Sequence, residues 1–437
     1  MAHTAIAKPA MPAGRQFLLN AYWFSTNAMW TSILVIILPR QIESLVGDSS
    51  RGMLLGLVLG VGAVVSTISG PLFGALSDRI SLPGGRRKPW IVIGTLGVIP
   101  CLWALAYWTR PGEIGSLPDW IIAFIALEIF SNVAAAPAAA LIPDQVPPTQ
   151  RGSAAGWLGS MSMLGIFAGA ATGLLIGPFG ITAIYNLLIV IMILGALAAF
   201  FGVQEIDTRP ATSGFAWRKF VTGLYAPFTH SDFAWVFFTR FLISMGMFTI
   251  QEFIFYYMAD AFGRSYTLPF LGTAATTAED AVSIFLLVLF LGAIATSLIA
   301  GILSDKYGRK PLAYAASLTL GIMATVFTFS HSFALSILVG VVFGFAYGAY
   351  ESLSWALAAD ALPSHSDHGK DMGLWHIAVV LPQIVATPLA GFLLDQFYSI
   401  STATSLPRMM GYVIIFIIAV VYFISGSIFL KEIKGLR

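Results

Sequence analysis

The sequence predicts an all-α membrane protein with 12 transmembrane helices in two pseudo-symmetric six-helix bundles. Three observations support this fold class: an apolar composition, a series of long apolar runs, and a loop pattern that occurs once in each half. Hydrophobic residues make up 57% of the 437 positions and charged residues only 10%, whereas soluble domains are about one quarter charged. So few charges cannot cover a water-exposed surface, and most of the surface should therefore face lipid.

The apolar runs are each about 20 residues long, which is the length that a helix needs to cross the hydrocarbon core of a bilayer. Charged residues or Gly and Pro bound each run. The N-terminal segment lacks a cleavable signal pattern, so the first run is expected to be retained as a helix. The predicted spans are 17–39, 53–76, 90–108, 119–142, 153–176, 181–203, 233–258, 281–303, 312–331, 333–358, 371–395 and 411–430.

Lys and Arg are concentrated in every second connecting segment. Basic residues favour the cytoplasmic side of a membrane, so this distribution predicts a multi-pass protein of the cell membrane with both termini in the cytoplasm. The basic clusters are explained by topology, and a net charge of +2 gives no reason to expect a nucleic-acid partner. The basic residues that fall in outside segments are Arg40, Arg51, Arg110, Arg264 and Arg408.

A loop pattern follows both the second and the eighth span. Gly74–Arg79 reads GALSDR and Gly301–Lys306 reads GILSDK, and a Gly and a basic run follow each. The ends of the fourth and tenth spans also correspond, ALIPDQVP at Ala140–Pro147 with ALAADALP at Ala356–Pro363. Two copies in the same orientation indicate parallel six-helix repeats. The predicted domains are an N-terminal bundle at 1–203, a cytoplasmic linker at 204–231 and a C-terminal bundle at 232–437.

These loops resemble the signature of the major facilitator superfamily, and the resemblance covers the whole chain. The first copy, Asp78-Arg79 followed after five residues by GRRKPWI at Gly85–Ile91, resembles the form found in sucrose–proton and glycoside–cation symporters. The resemblance implies a monomeric secondary transporter that works by alternating access. It further implies proton-coupled symport of a sugar or glycoside, with a polyhydroxylated small molecule and the lipid bilayer as partners.

The loop residues have a physical role in such a transporter. Glycines let helix ends approach closely, and an Asp can cap a helix or bind a basic partner across the loop. A charged clasp of this kind can close one conformation and release it in another. The alternative, that the basic residues serve topology alone, does not explain the two acids. The predicted gating residues are Gly74, Asp78, Arg79, Arg86, Arg87, Gly301, Asp305, Gly308, Arg309 and Lys310.

Polar residues mark a candidate solute site, because the resemblance places the first, fourth, seventh and tenth spans around a central cavity. In the first span Asn20, Trp23, Phe24, Asn27, Trp30 and Thr31 follow steps of three and four and share one helical face. Amides bond hydroxyl groups and indole rings stack on sugar C–H surfaces; the alternative is helix packing with interfacial Trp anchors. The predicted solute contacts are Asn27, Trp30, Asn132, Gln251, Trp355 and, in the eleventh span, Gln383.

Ionisable residues inside membrane spans are costly and indicate function. Arg240 and Glu351 lie at similar depths, which predicts an ion pair that either changes during the transport cycle or is a permanent structural bridge. Glu128 has no basic residue nearby in sequence, and an apolar environment favours the neutral form of a carboxyl group. Glu128 is therefore the first candidate for a coupling proton and Glu351 the second, with solute binding or snorkelling by Glu128 left open. Glu252, near the end of the seventh span, is expected to be partly solvated.

Several other functions are disfavoured. No GxxxxGK[ST] loop is present for an ATP-driven pump, and no HExxH, GxSxG or acidic metal cluster indicates an enzyme or a metal site. Cys101 is the single cysteine, so no disulfide can form within the chain. We expect no cofactor other than the coupling ion. The second span contains no Asp, so the acidic sodium site of melibiose-type relatives is absent and a proton is preferred to sodium.

The alternative transport function is proton-coupled export of drugs or other amphipathic small molecules. Exporters of this kind carry a GxxxGPxxGG run in the fifth span. Here that span has Gly165, Gly169 and Gly173 but no Pro after the glycine. The spacing favours close helix packing and makes the exporter the second hypothesis.

Overall fold

The computed structural model describes residues 10–80, 82–107, 117–147, 150–204, 226–262, 266–267, 274–275, 277–330, 332–361, 368–404, 407 and 409–434. This part of the chain is almost entirely helical, and the predicted all-α membrane fold is confirmed. A two-stranded antiparallel hairpin pairs Tyr266–Thr267 (β1) with Ala274–Ala275 (β2).

The helices follow the predicted spans with small shifts at their ends. They are α1 Ala13–Thr31, α2 Leu38–Val46, α3 Arg51–Arg79, α4 Lys88–Tyr107, α5 Leu117–Ala139, α6 Leu141–Gln145, α7 Arg151–Ala171, α8 Gly173–Gly202, α9 Ser231–Gln251, α10 Ile254–Phe262, α11 Ala278–Tyr307, α12 Arg309–Thr328, α13 Phe333–Asp360, α14 His368–Ala403 and α15 Met410–Phe429. Short 3₁₀ turns occur at Ala226–Thr229 and Leu430–Glu432.

Among the described residues, 11 helical segments are long and apolar enough to cross a membrane. The fifth predicted span is represented by a shorter apolar helix, Gly156–Ala171, within α7. It continues into the start of α8 as far as Gly180, where φ is 79° and the chain turns. Only glycine adopts this backbone conformation without strain, so Gly180 separates the fifth span from the sixth.

Within the described residues, two spans are irregular. In the first span, a π-helical segment at Ser32–Ile37 joins α1 to α2, so the span runs to Val46 rather than ending at 39. The seventh span is interrupted between Gln251 and Ile254, where α9 ends and α10 begins. Local π geometry and helix breaks are frequent at functional sites.

The first compact unit consists of Met1–Ile33 and Val64–Ser213. Within it α1 packs against α7 and α8, and α4 packs against α5 and α8. Small residues permit these close approaches: a Cβ on Gly169 would lie 2.5 Å from the Ala28 carbonyl oxygen of α1. The glycine spacing in the fifth span therefore serves helix packing, as the sequence predicted.

The second compact unit consists of Leu34–Ala63 and Gly214–Arg437. Within it α9 packs against α14 and α15, α11 against α13, and α12 against α13 and α15. The 34–63 segment is joined to α14 by close contact, because a Cβ on Gly56 would overlap the backbone of Thr387. The predicted domains at 1–203 and 232–437 describe the sequence repeat and stay a prediction.

Candidate functional site

Glu128 of α5 lies in the interior of unit 1. Its side chain is buried, and no ion pair or side-chain hydrogen bond to it occurs within the described ranges. Trp30 of α1 donates its indole N–H to Ser131 at 3.2 Å and packs edge-on against Phe124. Phe124, Glu128 and Ser131 follow steps of four and three, so they share the face of α5 that meets Trp30.

The amides predicted to bind solute make bonds inside unit 1. Asn27 donates to the Trp23 carbonyl at 2.8 Å, one turn earlier in α1. Asn132 donates to the Ser66 hydroxyl at 3.0 Å and to the Glu128 carbonyl at 2.9 Å. Both side chains remain half-buried. The donor groups of this polar face are therefore engaged in helix packing.

Arg240 of α9 and Glu351 of α13 form the ion pair that the sequence predicted. The distances are 2.8 Å from Nη1 to Oε1 and 3.1 Å from Nη2 to Oε2, and Arg240 is buried. Arg240 also donates to Ser354 at 3.1 Å and lies 5.8 Å from the ring centroid of Tyr350. Such bidentate geometry is the strong form of this interaction.

Unit 2 contains an apolar cavity between α9, α10, α11, α12 and α13. Met247, Ile250, Gln251 and Ile254 line it from one side at steps of three, four and seven, which is one helical face. Gln251 and Tyr347 supply its polar side chains. The remaining lining residues are Phe285, Leu286, Leu289, Phe290, Ala324, Phe327, Val339 and Phe343.

The other predicted solute contacts of unit 2 do not line this cavity. Trp355 is exposed on α13, five residues beyond Tyr350. Gln383 is half-buried on α14, where its carbonyl accepts a 2.6 Å hydrogen bond from Thr387. Of the predicted residues in unit 2, Gln251 alone reaches the cavity.

The loop after the second span forms a clasp with the end of the fourth. Arg87 is buried and donates from Nε to Asp144 Oδ2 at 2.8 Å and from Nη1 to the Ser77 hydroxyl at 2.6 Å. Arg86 lies 3.6 Å from the same carboxylate. Gly74 contributes its carbonyl, which accepts from Ser77. The side chains of Asp78 and Arg79 lie outside the described residues.

The corresponding clasp in unit 2 repeats this arrangement. Arg309 forms an ion pair with Asp360 at 2.5 Å and donates to the Ala356 carbonyl at 2.8 Å. Lys310 donates to the carbonyls of Ile433 and Lys431 at the end of the chain. Gly301 accepts from Ser304, and Gly308 ends α11. The Asp305 side chain lies outside the described residues.

Asp144 and Asp360 are thus the carboxylate partners seen in both clasps. The alignment of the two halves pairs Asp144 with Asp360. The expectation, however, was that the acids of the loops themselves, Asp78 and Asp305, would bind the basic residues. The sequence match between the ends of the fourth and tenth spans, which aligns Asp144 with Asp360, was the signal that could have identified them.

Sequence reasoning also missed a charge cluster in unit 2 around a buried arginine. It is here called the Arg51 cluster and is formed by Glu43, Asp48, Arg51, Asp260 and Tyr412. Arg51 is 3% exposed and forms ion pairs with all three carboxylates. It also donates to the Tyr412 hydroxyl at 3.1 Å, and Tyr412 donates to Asp260 at 2.8 Å. Topology counting had treated Arg51 as an ordinary outside charge.

Further contacts join residues 34–63 to the rest of unit 2 near this cluster. The Asp395 carboxylate accepts hydrogen bonds from the backbone N–H groups of Gly52 and Met53 at 3.0 and 2.7 Å, at the start of α3. Arg40 forms an ion pair with the buried Glu279. A helix N-terminus favours a carboxylate, so Asp395 stabilises this packing.

Glu252 contradicts the expectation of partial solvation. It is 0% exposed, and neither side-chain oxygen has a hydrogen-bond partner within the part of the chain that the structure describes. The span continues past it as α10, which packs against α11 and α2 and whose residues 254–258 are buried.

The family model of the Major Facilitator Superfamily matches residues 19–276 and 253–434. The chain belongs to the major facilitator superfamily. Members of this superfamily carry small-molecule solutes through membranes, so the predicted class, a transporter rather than an enzyme, agrees with the family.

Curated relatives are similar at moderate identity. The chain is 25% identical over 388 residues to an uncharacterized MFS-type transporter of Methanocaldococcus jannaschii, covering 84% of this chain and 85% of the relative. It is 27% identical over 255 residues to the multi-drug resistance efflux pump PmrA of Streptococcus pneumoniae, covering 55% and 58%. It is 25% identical over 175 residues to the class B tetracycline resistance protein of Escherichia coli, covering 38% and 40%.

Solved structures show the same fold. A nucleoside transporter NupG structure gives a TM-score of 0.72 at 13% identity, covering 96% of this chain and 100% of that one. A POT family transporter in complex with 5-aminolevulinic acid gives 0.71 at 13% identity, covering 97% of each chain. At these identities the likeness concerns the fold alone.

Proposed function

We propose that this transporter carries an amphipathic small molecule with a large apolar surface, and that protons drive the transport. The observation that carries the proposal is the cavity of unit 2. An apolar lining with a small number of polar groups is typical of sites that bind small organic ligands. Four Phe side chains and several aliphatic ones line the cavity, while Gln251 and Tyr347 provide the polar contacts that would orient a ligand.

The relatives support the same solute class. PmrA is named as a multi-drug resistance efflux pump and the class B protein as a tetracycline resistance protein. Their similarity to this chain favours export, the alternative direction raised by the sequence, over uptake.

Proton-coupled symport of a sugar or glycoside is the second candidate. The first loop, with its GRRKPWI run, and the half-buried Asn27, Trp30 and Asn132 support it. The hydrogen bonds that these side chains make within unit 1 leave fewer donors for a polyhydroxylated solute. This reduces the support for the sugar without removing it.

Glu128 is the group that we assign to the coupling proton. It is buried beside Trp30 and has no partner within the described ranges, so its charged form gains no compensation from the protein. A carboxyl group in that setting binds a proton when closed off from water and releases it when hydrated.

We also propose that both termini are cytoplasmic and that the protein lies in the cell membrane. The positive-inside distribution supports this orientation. It places the clasps of Arg87 and Arg309 at the cytoplasmic ends of the spans and the Arg51 cluster at the extracellular ends.

The two solute classes can be separated by transport into proteoliposomes with an imposed pH gradient. Ethidium represents an amphipathic aromatic solute, and radiolabelled sucrose represents a sugar. The proposal predicts gradient-driven movement of ethidium and no gradient-driven movement of sucrose. Gradient-driven uptake of sucrose without movement of ethidium would establish the second candidate instead.

A cavity-filling variant tests whether the cavity binds the solute. Ala324 is buried and lines the cavity from α12, so Ala324→Leu should lower ethidium transport by reducing the space available. Ala315→Leu is the matched control, because Ala315 lies on the exposed face of the same helix. Equal activity of the two variants would show that the cavity does not hold the solute.

A further inference from the structure

Glu252 is a carboxyl group that none of the interactions above uses. It is fully buried, and both of its side-chain oxygens lack a partner among the described residues. An isolated carboxylate in an apolar environment is far more costly than a neutral carboxyl, so such a group is buried in its protonated form. The conformation seen here therefore favours the protonated form of Glu252.

The backbone is weakened at the same position. The Glu252 and Phe253 N–H groups donate to Phe248 and Ile250 at 3.3 Å each, and regular helix resumes only at Ile254. A break of this kind allows the segment that follows to move relative to α9. The proton-binding group and the candidate hinge thus coincide.

One turn beyond the break, Tyr256 joins this segment to the Arg51 cluster. Its hydroxyl donates to the Pro39 carbonyl at 3.0 Å, and its ring centroid lies 4.5 Å from the Arg51 guanidinium carbon. The Tyr256 ring is completely buried. These contacts hold α10 against residues 34–63 at this end of unit 2.

The charged and titratable groups of the surrounding elements are engaged elsewhere. Within the described part of the chain, Arg40 pairs with Glu279, Arg51 with Glu43, Asp48 and Asp260, and Arg240 with Glu351. Asp395 accepts hydrogen bonds from the N–H groups of Gly52 and Met53. Among the tyrosines, Tyr257 donates to the Phe327 and Ser330 carbonyls, Tyr347 lines the cavity, Tyr350 lies against Arg240, Tyr412 donates to Asp260, and Tyr422 lines a small pocket with Thr249.

We propose that Glu252 is a proton-binding site whose occupancy is required for closure of the end of unit 2 that contains the Arg51 cluster. A proton from the aqueous phase adds to the hydrated carboxylate while this end is open, forming one O–H bond. The neutral carboxyl is then buried as α10 packs against residues 34–63. The inference rests on the proposed transport cycle but is independent of the solute.

The sign of the pH response distinguishes Glu252 from the cluster itself. Protonation of Glu43 weakens its pairing with Arg51, so the cluster alone would make this end open at low pH. Deprotonation of Glu252 creates an unpaired buried charge, so Glu252 makes the same end open at high pH. Linkage to one proton limits the change to about tenfold in the opening equilibrium per pH unit.

The test uses a cysteine reporter in the full-length protein reconstituted in liposomes without solute. Ile42 is 0% exposed on α2, so Ile42→Cys in a Cys101→Ala background reacts with a membrane-impermeant maleimide only when this end opens. The exposed Ser49→Cys gives the intrinsic pH dependence of the reaction, and rates are expressed relative to it. Rates are measured between about pH 6 and about pH 9, where linkage to a single proton can be followed.

With Glu252 unchanged (the parent), the labelling rate of Ile42→Cys relative to that of Ser49→Cys should rise by about tenfold or more from about pH 6 to about pH 9. With Glu252→Gln the rate should stay low at every pH, because the neutral amide is always compatible with closure. Glu252→Asp, which keeps a carboxyl group, should keep a rise with pH. A parent rate that does not rise, an unchanged rise in Glu252→Gln or loss of the rise in Glu252→Asp would each overturn the proposal.

Discussion

Removal of one charge from the Arg240–Glu351 pair should destabilise unit 2. Glu351→Gln leaves the Arg240 guanidinium buried without its carboxylate partner, since the pair accounts for both short contacts at 2.8 and 3.1 Å. Ser354 and the Tyr350 ring still contact the cation but carry no compensating charge.

The expected cost follows from the burial of both groups. The side chains of Arg240 and Glu351 are 7% and 20% exposed, and breaking a buried ion pair by removing one partner costs roughly 3–5 kcal/mol. For 437 residues that corresponds to a fall in Tm of about 3–6 °C. The double variant Arg240→Met/Glu351→Gln should recover most of this loss, because neither charge is then left alone.

Thermal unfolding of the detergent-purified protein measures the stability effect, and ethidium transport in proteoliposomes measures the functional one. If the pair changes during the cycle, the double variant should be stable but inactive. A double variant with normal stability and normal proton-driven transport would make the pair a permanent structural bridge. A stable Glu351→Gln single variant would contradict the buried pair itself.

Three further predictions concern groups in both units. Glu128→Gln should abolish proton-driven accumulation of solute while leaving solute exchange across the membrane intact. Stability should be unchanged, because the carboxyl has no partner within the described ranges. Loss of exchange as well would place Glu128 in solute binding. Arg87→Ala should lower Tm more than Arg309→Ala, because the Arg87 side chain is 4% exposed and bonded to two side chains. The side chains of Arg309 and its partner Asp360 are 28% and 40% exposed, and an ion pair so exposed typically contributes about 0–1 kcal/mol to stability. The reverse order in thermal unfolding would show that burial does not set these energies. Gly56→Ala should destabilise by about 1–3 kcal/mol through overlap with α14, while Gly177→Ala, with no atom within 4 Å, serves as the control and should have no comparable effect.

The sequence predicted that Arg240 and Glu351 lie at similar depths in the membrane, because a helix advances by a fixed rise per residue. Two groups at equal distance from the same membrane face can meet if their helices are neighbours. The resemblance to the superfamily supplied that second condition, and the structure confirms the pair.

The Arg51 cluster could not be predicted in the same way. Arg51 stands at the start of α3, and Asp260 lies 209 residues later, beyond the break in the seventh span. An arginine after a short loop follows the ordinary distribution of topology charges. Glu43 and Asp48 are near Arg51 in sequence, but only the packing of residues 34–63 into unit 2 brings Asp260 to it.

Glu252 was misjudged for a related reason. Counting residues to the end of the span assumes that water begins where the apolar run stops. In the structure α10 extends the helix and packs against other elements, so the carboxyl group is fully buried. The local sequence indicates how far along its own helix a residue lies, but not whether neighbouring helices bury it.

The sequence by itself determined the membrane fold, the repeated loops and the intramembrane charges, because apolar length and charge placement act locally along each segment. Tertiary structure decided which charges are paired, which carboxyl groups are isolated and where the apolar cavity lies. Those properties depend on side chains from several helices meeting at one depth, and residues distant in sequence supply them.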